Sequence, residues 1–94
     1  MSKQQTYELG TAIRITTVLS LANPTSVKIT IKDQSNITMV NAASMTMDDP
    51  TVYTYIYQSN TTDSDGEYLI FIDAVYGSYN SRAVSEFVLI DSDL

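Results

Sequence analysis

Short runs of alternating apolar and polar residues recur along this chain, set roughly 8–14 residues apart by turn-forming clusters. AIRITTVL (12–19) places Ile13, Ile15, Thr17 and Leu19 on one side and Arg14, Thr16 and Val18 on the other. That period of two marks a half-buried strand. SVKITIK (26–32) alternates in the same way, Val27, Ile29 and Ile31 against Lys28, Thr30 and Lys32. DQSN (33–36) reads as a turn, with ITMV (37–40) returning as a hairpin partner. NAASMTMDDP (41–50) admits two readings, a short edge strand through Met45 and Met47 or a helical turn over the Ala pair. VYTYIYQ (52–58), EYLIFIDAVYG (67–77) and RAVSEFVLI (82–90) complete the strands. No segment holds a 3.6-residue period, so essentially no helix is expected.

About seven strands without intervening helices describe an all-β sandwich or barrel. The SDGEY stretch favours an immunoglobulin-like antiparallel β-sandwich. In such folds a Tyr at the start of a late strand bonds back to the preceding corner, and Tyr68 stands at that place after Gly66. The expected organisation is a flexible polar N-terminal segment over 1–6, one sandwich domain over 7–90 and an acidic tail over 91–94.

Two strands are apolar on both faces. In 52–58, Tyr53, Tyr55 and Tyr57 share one face, with Val52, Thr54 and Ile56 on the other. In 67–77, Tyr68, Ile70, Ile72 and Ala74 are expected to point inward. That leaves Leu69, Phe71 and Val75 outward with only Asp73 polar among them, whereas a solvated sheet face is normally polar. Tyr53, Tyr55, Tyr57, Leu69 and Phe71 are therefore candidates for a protein interface, since large amphipathic rings suit one. The competing reading has the tyrosines forming a core wall with their hydroxyls at its rim, and this is the arrangement we expect.

Composition narrows the chemistry. The 94 residues contain no Cys, His or Trp. Disulfides and thiolate chemistry are thus absent, and the most usual general base and metal ligand is missing. No carboxylate pair has surroundings that would raise one pKa for acid–base work. A non-enzymatic protein without cofactors is expected. Net charge is −6, and the five basic residues Lys3, Arg14, Lys28, Lys32 and Arg82 are scattered singly. Neither nucleic acid nor an anionic membrane surface finds a basic patch to bind. Asp63, Asp65 and Glu67 in DSDGE resemble half of a calcium loop. Thr61 and Ile72 stand where that loop would need its first and last ligands, so these acids are weak metal candidates beside a solvated turn.

The Y-x-L-G opening, NPTSVKITIKD, VYTYIYQS, DGEY and the closing EFVL together resemble the small immunoglobulin-like proteins of tailed viruses, bacteriophage and archaeal. The resemblance runs over about residues 7–90. The chain departs from that family at Asp33-Gln34-Ser35-Asn36, where Pro or Gly commonly closes the turn. The resemblance implies a virion structural or accessory protein, such as a capsid decoration, neck or head–tail component. Its implied partners are other virion proteins (capsid, neck or tail), with self-association also expected, and its implied location is the virion after assembly in the host cytoplasm. The absence of an apolar leader in MSKQQTYELG agrees with that location. The alternative is a cell-surface or adhesin-type immunoglobulin-like module that recognises carbohydrate or a host protein.

Overall fold

The computed structural model describes residues 5–91, and among them it contains eight strands and no helix. These are β1 (Gln5–Glu8), β2 (Ala12–Val18), β3 (Ser26–Lys32), β4 (Thr38–Ser44), β5 (Thr46–Asp49), β6 (Val52–Gln58), β7 (Gly66–Tyr76) and β8 (Tyr79–Ile90). They form a five-stranded sheet in the order β1-β8-β7-β3-β4 and a three-stranded sheet in the order β2-β6-β5. Every pairing is antiparallel except that of β1 with β8. The fold is an immunoglobulin-like β-sandwich.

The core follows the alternation. Ile13 and Ile15 of β2, Val27, Ile29 and Ile31 of β3, and Ile70, Ile72 and Ala74 of β7 are all buried. The register of β2 on β6 sets Ile13 against Tyr57 and Ile15 against Tyr55, so the tyrosine row faces inward with the isoleucines. Directly opposed residues of an antiparallel pair share a face. Phe87 of β8 ties the two sheets together. Its ring stacks on Tyr68 at 5.2 Å and meets Tyr57 at 6.1 Å and Tyr7 at 6.2 Å.

The corner before β7 is built as the sequence suggests. The Tyr68 hydroxyl donates to the Ser64 carbonyl at 2.6 Å, which fixes the chain reversal while the ring stays in the core. Gly66 sits at φ +119°, and a Cβ there would meet the Gln34 side chain at 2.5 Å. Only glycine suits both demands.

The β3–β4 turn works without Pro or Gly. Asp33 Oδ1 accepts from the backbone N–H groups of Ser35 and Ile37, both at 2.9 Å, and Asn36 takes the left-handed φ of 68°. This is the Asx pattern that Asp and Asn supply to loops.

Three expectations need correction. β1 begins at Gln5, inside the segment read as loose, because its backbone pairs in parallel with Phe87 to Ile90. β8 starts at Tyr79 rather than near 82: Gly77 at φ 63° makes a two-residue turn, and pairing runs unbroken from Tyr76–Tyr79 to Gly66–Leu89. Of the two readings for residues 41–50, the short edge strand is present as β5 at the edge of the three-stranded sheet, and the correction lies before it. β4 continues to Ser44, Met45 plugs the core with its N–H on the Val27 carbonyl, and β5 starts in the other sheet.

Candidate interaction surface

The interface candidates separate by burial. Tyr53 and Tyr57 are 7% and 6% exposed, and Tyr55 is half-buried against the core. Tyr53 and Tyr57 are therefore withdrawn as contact residues, because a side chain inside the sandwich has no surface to offer. On the opposite face of β6, Ile56 is exposed, while Thr54 is covered through its hydrogen bond to Asp48.

Leu69 and Phe71 do point outward, but the face around them is not an apolar patch. The register places Phe71 between Thr30 and Val84, Asp73 between Lys28 and Arg82, and Leu69 between Lys32 and Glu86. Arg82 donates to both Asp73 oxygens, at 2.7 and 3.2 Å, and its guanidinium lies 5.4 Å from the centre of the Phe71 ring. A cation over a ring face is itself a favourable contact. Neighbouring strands thus supply the polarity that β7 lacks.

Within DSDGE the Asp63 carboxylate and the Asp65 backbone have structural partners. Asp63 accepts from the Asn60 N–H at 2.8 Å and from the Tyr57 hydroxyl at a long 3.4 Å, and the Asp65 carbonyl accepts from Gln34. Among the described residues no three His, Cys, Asp or Glu side chains gather at metal-binding distance.

Burial pushes the Tyr57 hydroxyl well above the ordinary tyrosine value of 10.0, and the Asp63 carboxylate adds to the rise. Burial raises Tyr68 as well, with Asp63 next and then Asp33. Above pH 10 the unfolded chain loses these two protons while the folded chain keeps them, so rising pH favours unfolding. Their contribution is whole below pH 10 and falls away above it. We expect the urea midpoint to drop between pH 9 and pH 11, and to drop less in Tyr57→Phe. An equal drop in both proteins would show that Tyr57 does not carry the effect.

The strand edges differ from one side of the sandwich to the other. On the β4–β5 side, β4 shifts register twice against β3 and carries Ala42 at φ 50°, and β5 shifts once against β6. Such bulges twist an edge and discourage a further strand. On the other side, β2 and β8 keep continuous register with their inner neighbours. β1 reaches β8 only from Phe87 onward, so upstream of it β8 is itself an edge strand among the described residues. Two grooves open between these edges. Tyr7, Ile13, Ile15, Ile70 and Phe87 help to line one, and Leu19, Leu21, Tyr76, Tyr79 and Ala83 help to line the other. No periodicity count finds this surface, because it depends on which strands lack a neighbour.

No protein-family model and no curated protein sequence matches the chain. One solved structure that is similar is the crystal structure of CopC from Methylosinus trichosporium OB3b. The match has a TM-score of 0.72 at 15% identity and covers 99% of this chain and 89% of that one. At that identity the likeness is one of fold, and it agrees with the immunoglobulin-like sandwich. It also overturns the virion expectation. CopC is a periplasmic copper-binding protein, so nearly this whole architecture serves a protein of another kind and place. The stretches behind the viral resemblance have structural explanations here: Y-x-Y-x-Y supplies a core wall and DGEY a corner. The virion role, the adhesin alternative and the virion location are withdrawn.

Proposed function

We propose that this chain is a non-enzymatic interaction module that takes an extended polypeptide segment along its β2–β8 side. The observation that carries this reading is the contrast between edges, irregular at β4 and β5 and regular at β2 and β8. An open strand edge offers a row of backbone donors and acceptors that an incoming strand satisfies, with adjacent grooves taking alternate side chains. The grooves beside Ile13, Phe87 and Ala83 suit that role.

The function of the structural neighbour suggests a second reading, copper handling, and the donor set does not fit it. Copper favours imidazole, thiolate and thioether ligands. The chain has neither His nor Cys, and of its methionines Met45 is buried in the core while Met47 is exposed.

Selection from a library of short extended peptides tests the interaction reading. Bound peptides should slow amide hydrogen exchange in β2 or in the Tyr79–Ser85 part of β8, and leave β4 and β5 unchanged. Protection confined to β4 and β5, or no binder at all, would remove this reading.

A further inference from the structure

We infer that the segment received at β8 is β8 of a second copy of this chain, paired antiparallel about a two-fold axis at Ala83. The inference rests on the strand-edge reading above and names its occupant.

β8 differs from β2 in what a neighbour would cover. In β2 the inward Ile13 and Ile15 are already buried, whereas Tyr79 to Ser85 of β8 are exposed on both faces. Val84 is 60% and Tyr79 74% exposed. On the face that alternates with Val84, Ser81, Ala83 and Ser85 are small and the large Tyr79 stands only at the end of the row, so a second backbone can approach the middle of the stretch without displacing side chains. The stretch holds no Pro and no bulge, the devices that ordinarily protect an edge.

Charge also favours this stretch for self-contact. The whole chain carries −6, so two copies repel over most of their surfaces. From Tyr79 to Ser85 the single charged residue is Arg82, which is held by Asp73 at 2.7 Å. The β4–β5 side instead presents Asp48 and Asp49.

Geometry then selects the register. A two-fold axis perpendicular to the sheet keeps each side chain on its own face, so opposed residues must share parity and the axis must pass through a residue. Among the described residues the stretch before β1 joins at Phe87 is Tyr79 to Glu86, with its midpoint between Arg82 and Ala83, so the axis falls at one of these two. Centring on Ala83 opposes Ala83 to Ala83, Ser81 to Ser85, Arg82 to Val84 and Asn80 to Glu86. Centring on Arg82 would set two guanidiniums face to face. Centring on Val84 would set Ser81, Asn80 and Tyr79 of one copy against Phe87, Val88 and Leu89, which β1 already pairs, whereas the Ala83 register meets β1 only at its end, Tyr79 against Phe87. The result is one continuous sheet through both molecules.

The chain has no cysteine, so single-cysteine variants report the register directly. Opposed Cβ atoms in an antiparallel pair lie about 4.5–5.5 Å apart, within a small adjustment of disulfide geometry. In a glutathione redox buffer, Ala83→Cys should form disulfide-linked dimers at least about tenfold faster than Val84→Cys or Val18→Cys. Equal rates, or a faster Val84→Cys, would overturn the inference. Light scattering on the unmodified chain should show dimer growing with concentration. The dimer should tighten between about 0.01 and 0.1 M salt, where the Debye length falls from about 30 to 10 Å and repulsion is screened. Ala83→Lys, which opposes two ammonium groups, should weaken it by roughly tenfold with an unchanged melting temperature. A chain that stays monomeric while selected peptides still protect β8 sinks the second-copy inference and leaves the interaction reading standing. Loss of both sinks both.

Discussion

Replacing Phe87 with Ala should destabilise the fold by about 3–5 kcal/mol, the range for deleting a buried aromatic ring. Phe87 is 2% exposed and touches three tyrosine rings from three other strands. Tyr68 stacks on it at 5.2 Å, and Tyr57 reaches it from the opposite sheet. Removing the ring leaves a void that those neighbours cannot close, since Tyr68 is held by its hydroxyl on Ser64 and β6 is paired on both sides. A domain of this size has about 5–15 kcal/mol of stability in total, so the variant should be marginal at 25 °C. Thermal unfolding should show a fall of roughly 20 °C or more. Val84→Ala, on the exposed part of the same strand, should change stability by less than about 0.5 kcal/mol. A loss below about 1 kcal/mol for Phe87→Ala would mean that the ring cluster is not what joins the sheets.

Asp33→Ala should cost about 1–3 kcal/mol, and Asp33→Asn less than about 1 kcal/mol. A single oxygen, Oδ1, receives both the Ser35 and the Ile37 N–H, and Asp33 is 6% exposed. Alanine removes the shared acceptor of both bonds, and although Ser35 and Ile37 are exposed, the turn loses the oxygen that holds its shape. Asparagine presents a carbonyl oxygen at the same place and keeps both bonds. Urea unfolding of the pair separates geometry from charge. If Asn proved as damaging as Ala, the negative charge would be the stabilising element and the turn geometry secondary. The turn carries this much because Ile31 and Val40, on either side of it, are aligned by the hairpin that it closes.

The period-two pattern revealed the core of β3 residue by residue, since Val27, Ile29 and Ile31 alternate with charged or hydroxyl side chains. Tyr68 after Gly66 was legible for a different reason, a local corner with its own residue requirements. Three features escaped because their causes are not local. Gln5 to Glu8 carry no apolar alternation, and only a backbone partner many residues away makes them a strand. The turn formers in GSYN hid the start of β8, although a two-residue turn at Gly77 needs no more than Gly and a tolerant neighbour. The outward row of β7 looked bare because its polarity comes from Lys28, Lys32 and Arg82 on adjacent strands. Periodicity along one strand cannot report what stands beside it. For the same reason the candidate surface was invisible, since it is defined by missing neighbours rather than by any residue type.

The irregular β4 edge has a further consequence. A sheet with two smooth edges has a valence of two and can add copies without end, as fibrils do. Here Ala42 interrupts one edge, its N–H turned to the Thr30 hydroxyl at 3.2 Å. The five-stranded sheet is therefore monovalent. A strand added at β8 finds no matching edge at β4, and growth through the five-stranded sheet ends after one addition.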